Sequence, residues 1–138
     1  MEVNLELVMR NEEWDTMSNV VREKSFRFAV ESVQLYKELI KQNEYVLSKQ
    51  FLRSATSIGA NVEEAQSAES KKDFLSKMSI SLKEARETRY WLLLMHESKL
   101  IAFDLQTYLQ KSEELIKLLT SITKSAKASI PNKKGTEQ

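Results

Sequence analysis

Glu84 and Glu87 stand one helical turn apart in SLKEARETRYW, a spacing that sets two carboxylates side by side on one helix face. Such a pair can hold a metal ion or share a proton. Lys83, Arg86 and Arg89 lie in the same stretch and Arg53 lies upstream, so ion pairing is the simpler use of these acids. His96 is the only histidine, and no HxxxH, HxxE or Glu-x-x-His pattern surrounds it. With no cysteine there is no thiolate ligand, disulfide or Cys nucleophile. Gly59 and Gly135 stand alone, so there is no phosphate-cradling loop. Serines are plentiful, but no GxSxG or Ser/His/Asp arrangement can be built around one histidine. The residues predict no catalytic group, no cofactor site and no metal site.

A second set of polar residues is arranged for packing. In QFLRSATSIGANVEEA, residues Gln50, Ser54, Ser57, Asn61 and Glu64 recur at steps of four and three, with Arg53 flanking them. Leu47, Phe51, Ala55, Ile58, Val62 and Ala65 recur at the same steps on the neighbouring face. A solvated face usually carries Lys and Glu; this one carries hydroxyls and amides that can interlock. Downstream, Ser81, Glu84, Glu87 and Thr88 supply matching groups beside the apolar row of Phe74, Met78, Ala85, Leu92 and Met95. The expectation is a buried polar network of these ten residues. Arg53 should be at least partly buried and paired with Glu84 or Glu87, because a desolvated charge needs a partner.

Cations form a third set. Lys71, Lys72, Lys77, Lys83, Arg86 and Arg89 share one segment, with Tyr90 and Trp91 beside them as candidates for stacking on bases. Glu84 and Glu87 interrupt the patch, and Trp91 serves equally well as a core anchor. Weak RNA or DNA contact is the reading these residues support.

The elements that must position these groups are helices. The chain has 138 residues, two glycines and one proline, too little turn chemistry for a set of short strands. The spacing predicts helices over about 20–42, 49–67, 71–98 and 105–126. The starts fall at Ser18 or Asn19, at Ser48, at Ser70 with Asp73 in a capping-box position, and near Asp104. The first helix carries two apolar stripes on different sides: Phe26, Ala29, Val30, Val33, Tyr36 and Ile40, and then Phe28, Leu35 and Leu39. A helix buried on one side needs one stripe, so the extra one predicts a second contact, with another subunit. Gly59 predicts close helix–helix approach.

Residues 1–18 hold five acids against Arg10 and are expected to be an acidic arm, flexible or a short helix packed through Trp14. Residues 19–128 are the expected bundle domain and 129–138 a disordered tail. No run of 18 apolar residues and no signal-peptide pattern occurs, which predicts a cytoplasmic protein without a membrane contact.

The run KQFLRSATSIGANVEEAQSAESKKDFLSKMSISLKEARETRYWLLL resembles the four-helix-bundle family related to the 23S rRNA intervening-sequence protein. The accessory variability determinant of diversity-generating retroelements is a relative within that resemblance. The residues that carry it are Gln50, Arg53-Ser54, Ser57-Ile58, Asn61, Glu64, Asp73-Phe74 and Glu84…Glu87-Thr88. One small departure is Ala65, where commoner forms have Gly. The resemblance implies an all-α, antiparallel up-down four-helix bundle that assembles as a ring-like homopentamer. Its retroelement members are strongly basic and associate with nucleic acid and a reverse transcriptase, whereas this chain has a net charge of only +1. The expectation is therefore a non-enzymatic scaffold or adaptor with weak RNA or DNA contact and a protein partner. The alternative is a dedicated nucleic-acid-binding accessory protein.

Overall fold

Long runs without Pro, and with Gly59 as their one glycine, carry apolar residues at steps of three and four and fold as four helices: α1 (Glu2–Lys41), α2 (Leu47–Ala65), α3 (Lys71–Glu97) and α4 (Gln106–Ser129). The computed structural model describes residues 2–131, with side chains from Asp15 onward. The expectations for Trp14 and for 132–138 lie outside those limits. Each helix packs on its neighbours in chain order and α1 closes against α4, while diagonal pairs do not pack. The chain is all-α, an up-down four-helix bundle.

The core is the inner stripe of each helix. Val21, Phe28, Leu35 and Leu39 of α1 meet Phe51, Ala55, Ile58 and Val62 of α2, Met78, Ala85, Leu92 and Met95 of α3, and Leu109, Leu115, Leu119 and Ile122 of α4. Serines sit among them: Ser25, Ser32, Ser48, Ser54, Ser81 and Ser112 are buried. Ser32 and Ser112 return their hydroxyl protons to carbonyls of the preceding turn, Phe28 and Leu109, at 2.7 Å each. A buried hydroxyl satisfied in this way carries little desolvation penalty and occupies little room.

Several boundaries differ from the sequence expectation. The first helix does not begin near Val20; it runs unbroken from Glu2. Ser18 is interior, and its hydroxyl lies 3.2 Å from Gln66 Oε1 at the end of α2, so a tertiary contact replaces the cap. Ser48 does not cap α2 either. The Glu44 carboxylate accepts from the backbone N–H groups of Leu47 and Ser48 at 3.0 and 2.6 Å, and Ser48 is buried one residue inside the helix. At α3 the expected cap forms, with Asp73 N–H donating to Ser70 Oγ at 3.0 Å. At α4 the start is Gln106, whose N–H donates to Asp104 Oδ1. The helix continues to Ser129, beyond the expected end at Ala126. Gly59 faces α1 closely: a Cβ there would lie 3.2 Å from the Ser25 carbonyl oxygen.

Candidate functional site

The polar residues of α2 and α3 meet along one seam, in two layers. The inner layer is dry. Thr88 Oγ1 lies 2.9 Å from Ser54 Oγ and 2.7 Å from the Glu84 carbonyl, Ser54 donates to the Phe51 carbonyl, and Ser81 donates across to the Ile58 carbonyl at 2.8 Å. All three hydroxyl residues are buried. The Ser81 and Thr88 bonds cross between helices, so they fix the antiparallel register of α2 against α3.

The outer layer is wet. Arg53 bridges both acids, Nη1 to Glu84 at 2.9 Å and Nη2 to Glu87. Its side chain is 51% exposed, Glu84 17% and Glu87 35%. Hydrogen bonds first to Glu84 and then to Glu87 raise the guanidinium pKa further above its ordinary value. Both acids are thus engaged by one cation, which fits ion pairing rather than metal binding. Among the described residues no three ligating side chains converge.

Four of the ten expected network members stay local or reach water. Gln50 is exposed, and Glu64 is exposed and touches Lys77 at 3.4 Å. Ser57 and Asn61 are half-buried and bond to the carbonyls of Arg53 and Ser57 on their own helix. The buried network is therefore smaller than expected: Ser54, Ser81 and Thr88 form it, with Arg53, Glu84 and Glu87 as its rim. Gln50 and Glu64 lie near the two ends of α2, where long side chains leave the bundle. Trp91, also on α3, has a buried indole Nε1 with no acceptor among the described residues.

The expected cation set divides. Lys77 and Arg89 have acidic neighbours, Glu64 and Glu113. Lys71, Lys72, Lys83 and Arg86 are exposed and form no ion pair among the described residues. On either side of the last two, α3 exposes Ile80, Tyr90, Leu93 and Leu94. The sequence reading used Tyr90 only as a base-stacking candidate. The signal it missed is that Ile80, Lys83, Tyr90 and Leu94 share one helix face.

On α1 the outward stripe is just as bare. Phe26 is 70% exposed, Val30 46% and Val33 38%, while Phe28, Leu35 and Leu39 fill the core. A depression of about 390 Å³ opens at the α3–α4 connection between His96, Glu97, Lys99 and Asp104. His96 Nε2 lies 4.0 Å from Glu97, and no hydroxyl, thiol or second histidine is among the described residues that line the cavity.

A profile of the 23S rRNA-intervening sequence proteins matches residues 17–121, spanning all four helices. The chain belongs to this family. Among solved structures, the bundle resembles a protein of unknown function from the S23 ribosomal protein family of Bacteroides thetaiotaomicron. The two are 50% identical, with a TM-score of 0.75, over 78% of this chain and 98% of that one. No curated protein matches. In this member of the intervening-sequence protein family, the seam of Arg53, Ser54, Ser81, Glu84, Glu87 and Thr88 lies wholly inside the matched region. Residues 2–16, the start of α1, lie outside it.

Proposed function

We propose that this chain is a non-catalytic helical scaffold or adaptor that assembles on itself as a ring, five subunits being the number the family resemblance implies. The observation that carries this reading is the pair of bare apolar faces, Phe26, Val30 and Val33 on α1, and Ile80, Tyr90, Leu93 and Leu94 on α3. Contiguous exposed apolar surface on a small domain marks an interaction site. α1 and α3 are diagonal in the bundle, so the two faces point in different directions. Different faces meeting between copies make a heterologous contact, which closes into a ring or runs on as a filament. The seam between α2 and α3 offers hydroxyls already bonded and a cation already paired, which suits structure rather than turnover. No described helix is long and apolar enough to cross a membrane, in keeping with a cytoplasmic scaffold.

Light scattering coupled to size exclusion is expected to show about five subunits per particle, and Phe26→Glu to lower that number. A 16.0 kDa monomer at micromolar concentration would refute the reading. A chelator is expected to leave the melting temperature unchanged; a drop, together with a stoichiometric metal, would refute the metal-free assignment.

Weak nucleic-acid contact rests on Lys71, Lys72, Lys83 and Arg86. A gel shift at low salt tests it, and binding through phosphates should fall steeply as salt rises. The chain is nearly neutral and apolar carbon separates these cations, which favours the scaffold over a dedicated nucleic-acid-binding protein.

A further inference from the structure

The register of α1 against α2 leaves the start of α1 without a neighbouring helix of comparable length. Ser18 meets Gln66, the residue that ends α2, and Arg22 meets Glu63 one turn below. Met17 lies beside Phe74, in the first turn of α3, and beside Ile122 and Ser125, one turn before the end of α4. Upstream of that level α1 continues as helix to Glu2, so about three turns stand beyond the body of the bundle.

This segment has a distinctive composition. Residues 1–18 carry five acids against one arginine. On a helix, Glu2, Glu6 and Glu13 fall on one stripe beside a stripe of Val3, Leu7 and Trp14. The complementary surface is the outer face of α3, where Lys83 and Arg86 are exposed and unpaired among the described residues and Ile80, Tyr90, Leu93 and Leu94 are bare. The lengths are comparable: Glu2 to Trp14 spans ~18 Å of helix and Ile80 to Leu94 ~21 Å.

We propose that the acidic start of α1 in one copy lies along the basic, apolar outer face of α3 in another copy. The proposal rests on self-association and gives the α3 face to the start of α1, so that Phe26, Val30 and Val33 meet a different surface of a neighbouring copy. It applies only between copies. α1 is unbroken through Ser18, so its start points away from the end of its own bundle and cannot fold back onto its own α3. The exposed apolar side chains that flank Lys83 and Arg86, Ile80 on one side and Tyr90, Leu93 and Leu94 on the other, favour an amphipathic acidic helix over a phosphate chain as the occupant of this face.

The test uses the full-length chain, mixed from isotopically light and heavy subunits and treated with a carbodiimide, which joins a carboxylate to an adjacent amine. Mass spectrometry is expected to find Glu2, Glu6 or Glu13 joined to Lys83 in light–heavy pairs. Reversing the cations, Lys83→Glu with Arg86→Glu, changes exposed residues only, and adding Glu6→Lys with Glu13→Lys restores the opposite signs. Light–heavy crosslinks between the start of α1 and α3 should fall at least roughly fivefold in the reversed pair and recover in the double reversal, where amine and carboxylate have exchanged sides, in line with the modest strength of exposed ion pairs. Light scattering on the same samples separates the outcomes. Multimers without light–heavy crosslinks to α3 overturn this contact and leave the scaffold reading standing, whether or not Lys83 and Arg86 bind RNA. Monomers overturn both.

Discussion

Arg53 holds two carboxylates while half of its side chain faces water, and that exposure limits what the contact contributes. Exposed ion pairs are worth about 1 kcal/mol or less, and salt screens them. Arg53→Ala is therefore expected to cost about that much by urea denaturation, more than Lys49→Ala at low salt and little more at high salt. Thr88→Val should behave differently. It removes a buried hydroxyl from the inner layer, costs about 1 kcal/mol and shows no salt dependence. Tyr108 gives a residue-scale test in pH. Burial first, and then the charge of Glu31, raise its phenol above the ordinary value near 10. A raised pKa in the folded state adds stability below the unfolded value, and that stability is lost as pH climbs through it. Tyr108→Phe should thus gain on the native chain above about pH 10. An ultraviolet titration should show one of the four tyrosines ionising last.

Gly59 makes the corresponding case for whole helices. Its missing side chain lets α2 lie against the Ser25 carbonyl of α1. An added methyl would press on backbone there, while alanine would gain up to about 1 kcal/mol of helix propensity. Gly59→Ala is expected to be near neutral in thermal melts, and Gly59→Val to lose about 1–3 kcal/mol by crowding. The close approach was legible from Gly59 in the sequence, as were the four helices and the inner stripes of α2 and α3. Spacing alone carries that information. Where helices begin was less legible. Ser18, Asn19 and Ser48 look like caps by residue type, but Ser18 is satisfied by Gln66, 48 residues away, and Glu44 serves the start of α2. Gln66 lies far outside the local window that a cap is read from, and Glu44, though near, is not one of the residue types that usually cap a helix. The seam was legible in part for a related reason. Residue type marked Arg53, Ser54, Ser81, Glu84, Glu87 and Thr88, but it could not show that Gln50 and Glu64, near the ends of α2, reach water.

At the scale of the molecule, the four seams are unequal. α2 and α3 share the most extensive packing and the interhelical hydroxyl bonds, whereas α1 against α4 is the most sparsely packed of the neighbouring pairs among the described residues. Lys24 with Glu114 and Lys111 with Glu31, at 3.3 and 2.6 Å, help to close that seam. Hydrogen exchange is expected to be slowest in α2 and α3, with high salt speeding exchange in α1 and α4 first. Partial exchange that instead protects α1 most would show that the ranking is wrong.

The unbroken length of α1 adds a mechanical consequence. A 40-residue helix is a rod of ~60 Å, and less than the whole of it is clamped by the bundle. Force applied to its free end is not absorbed by a hinge, since no Pro, Gly or break separates that end from Val21 and Phe28 in the core. It arrives as torque on the α1–α4 seam, the joint whose stiffness depends most on ionic strength. A partner that grips the first turns of α1 would therefore pull on the packing of the bundle as a lever, and salt would set how far the lever turns.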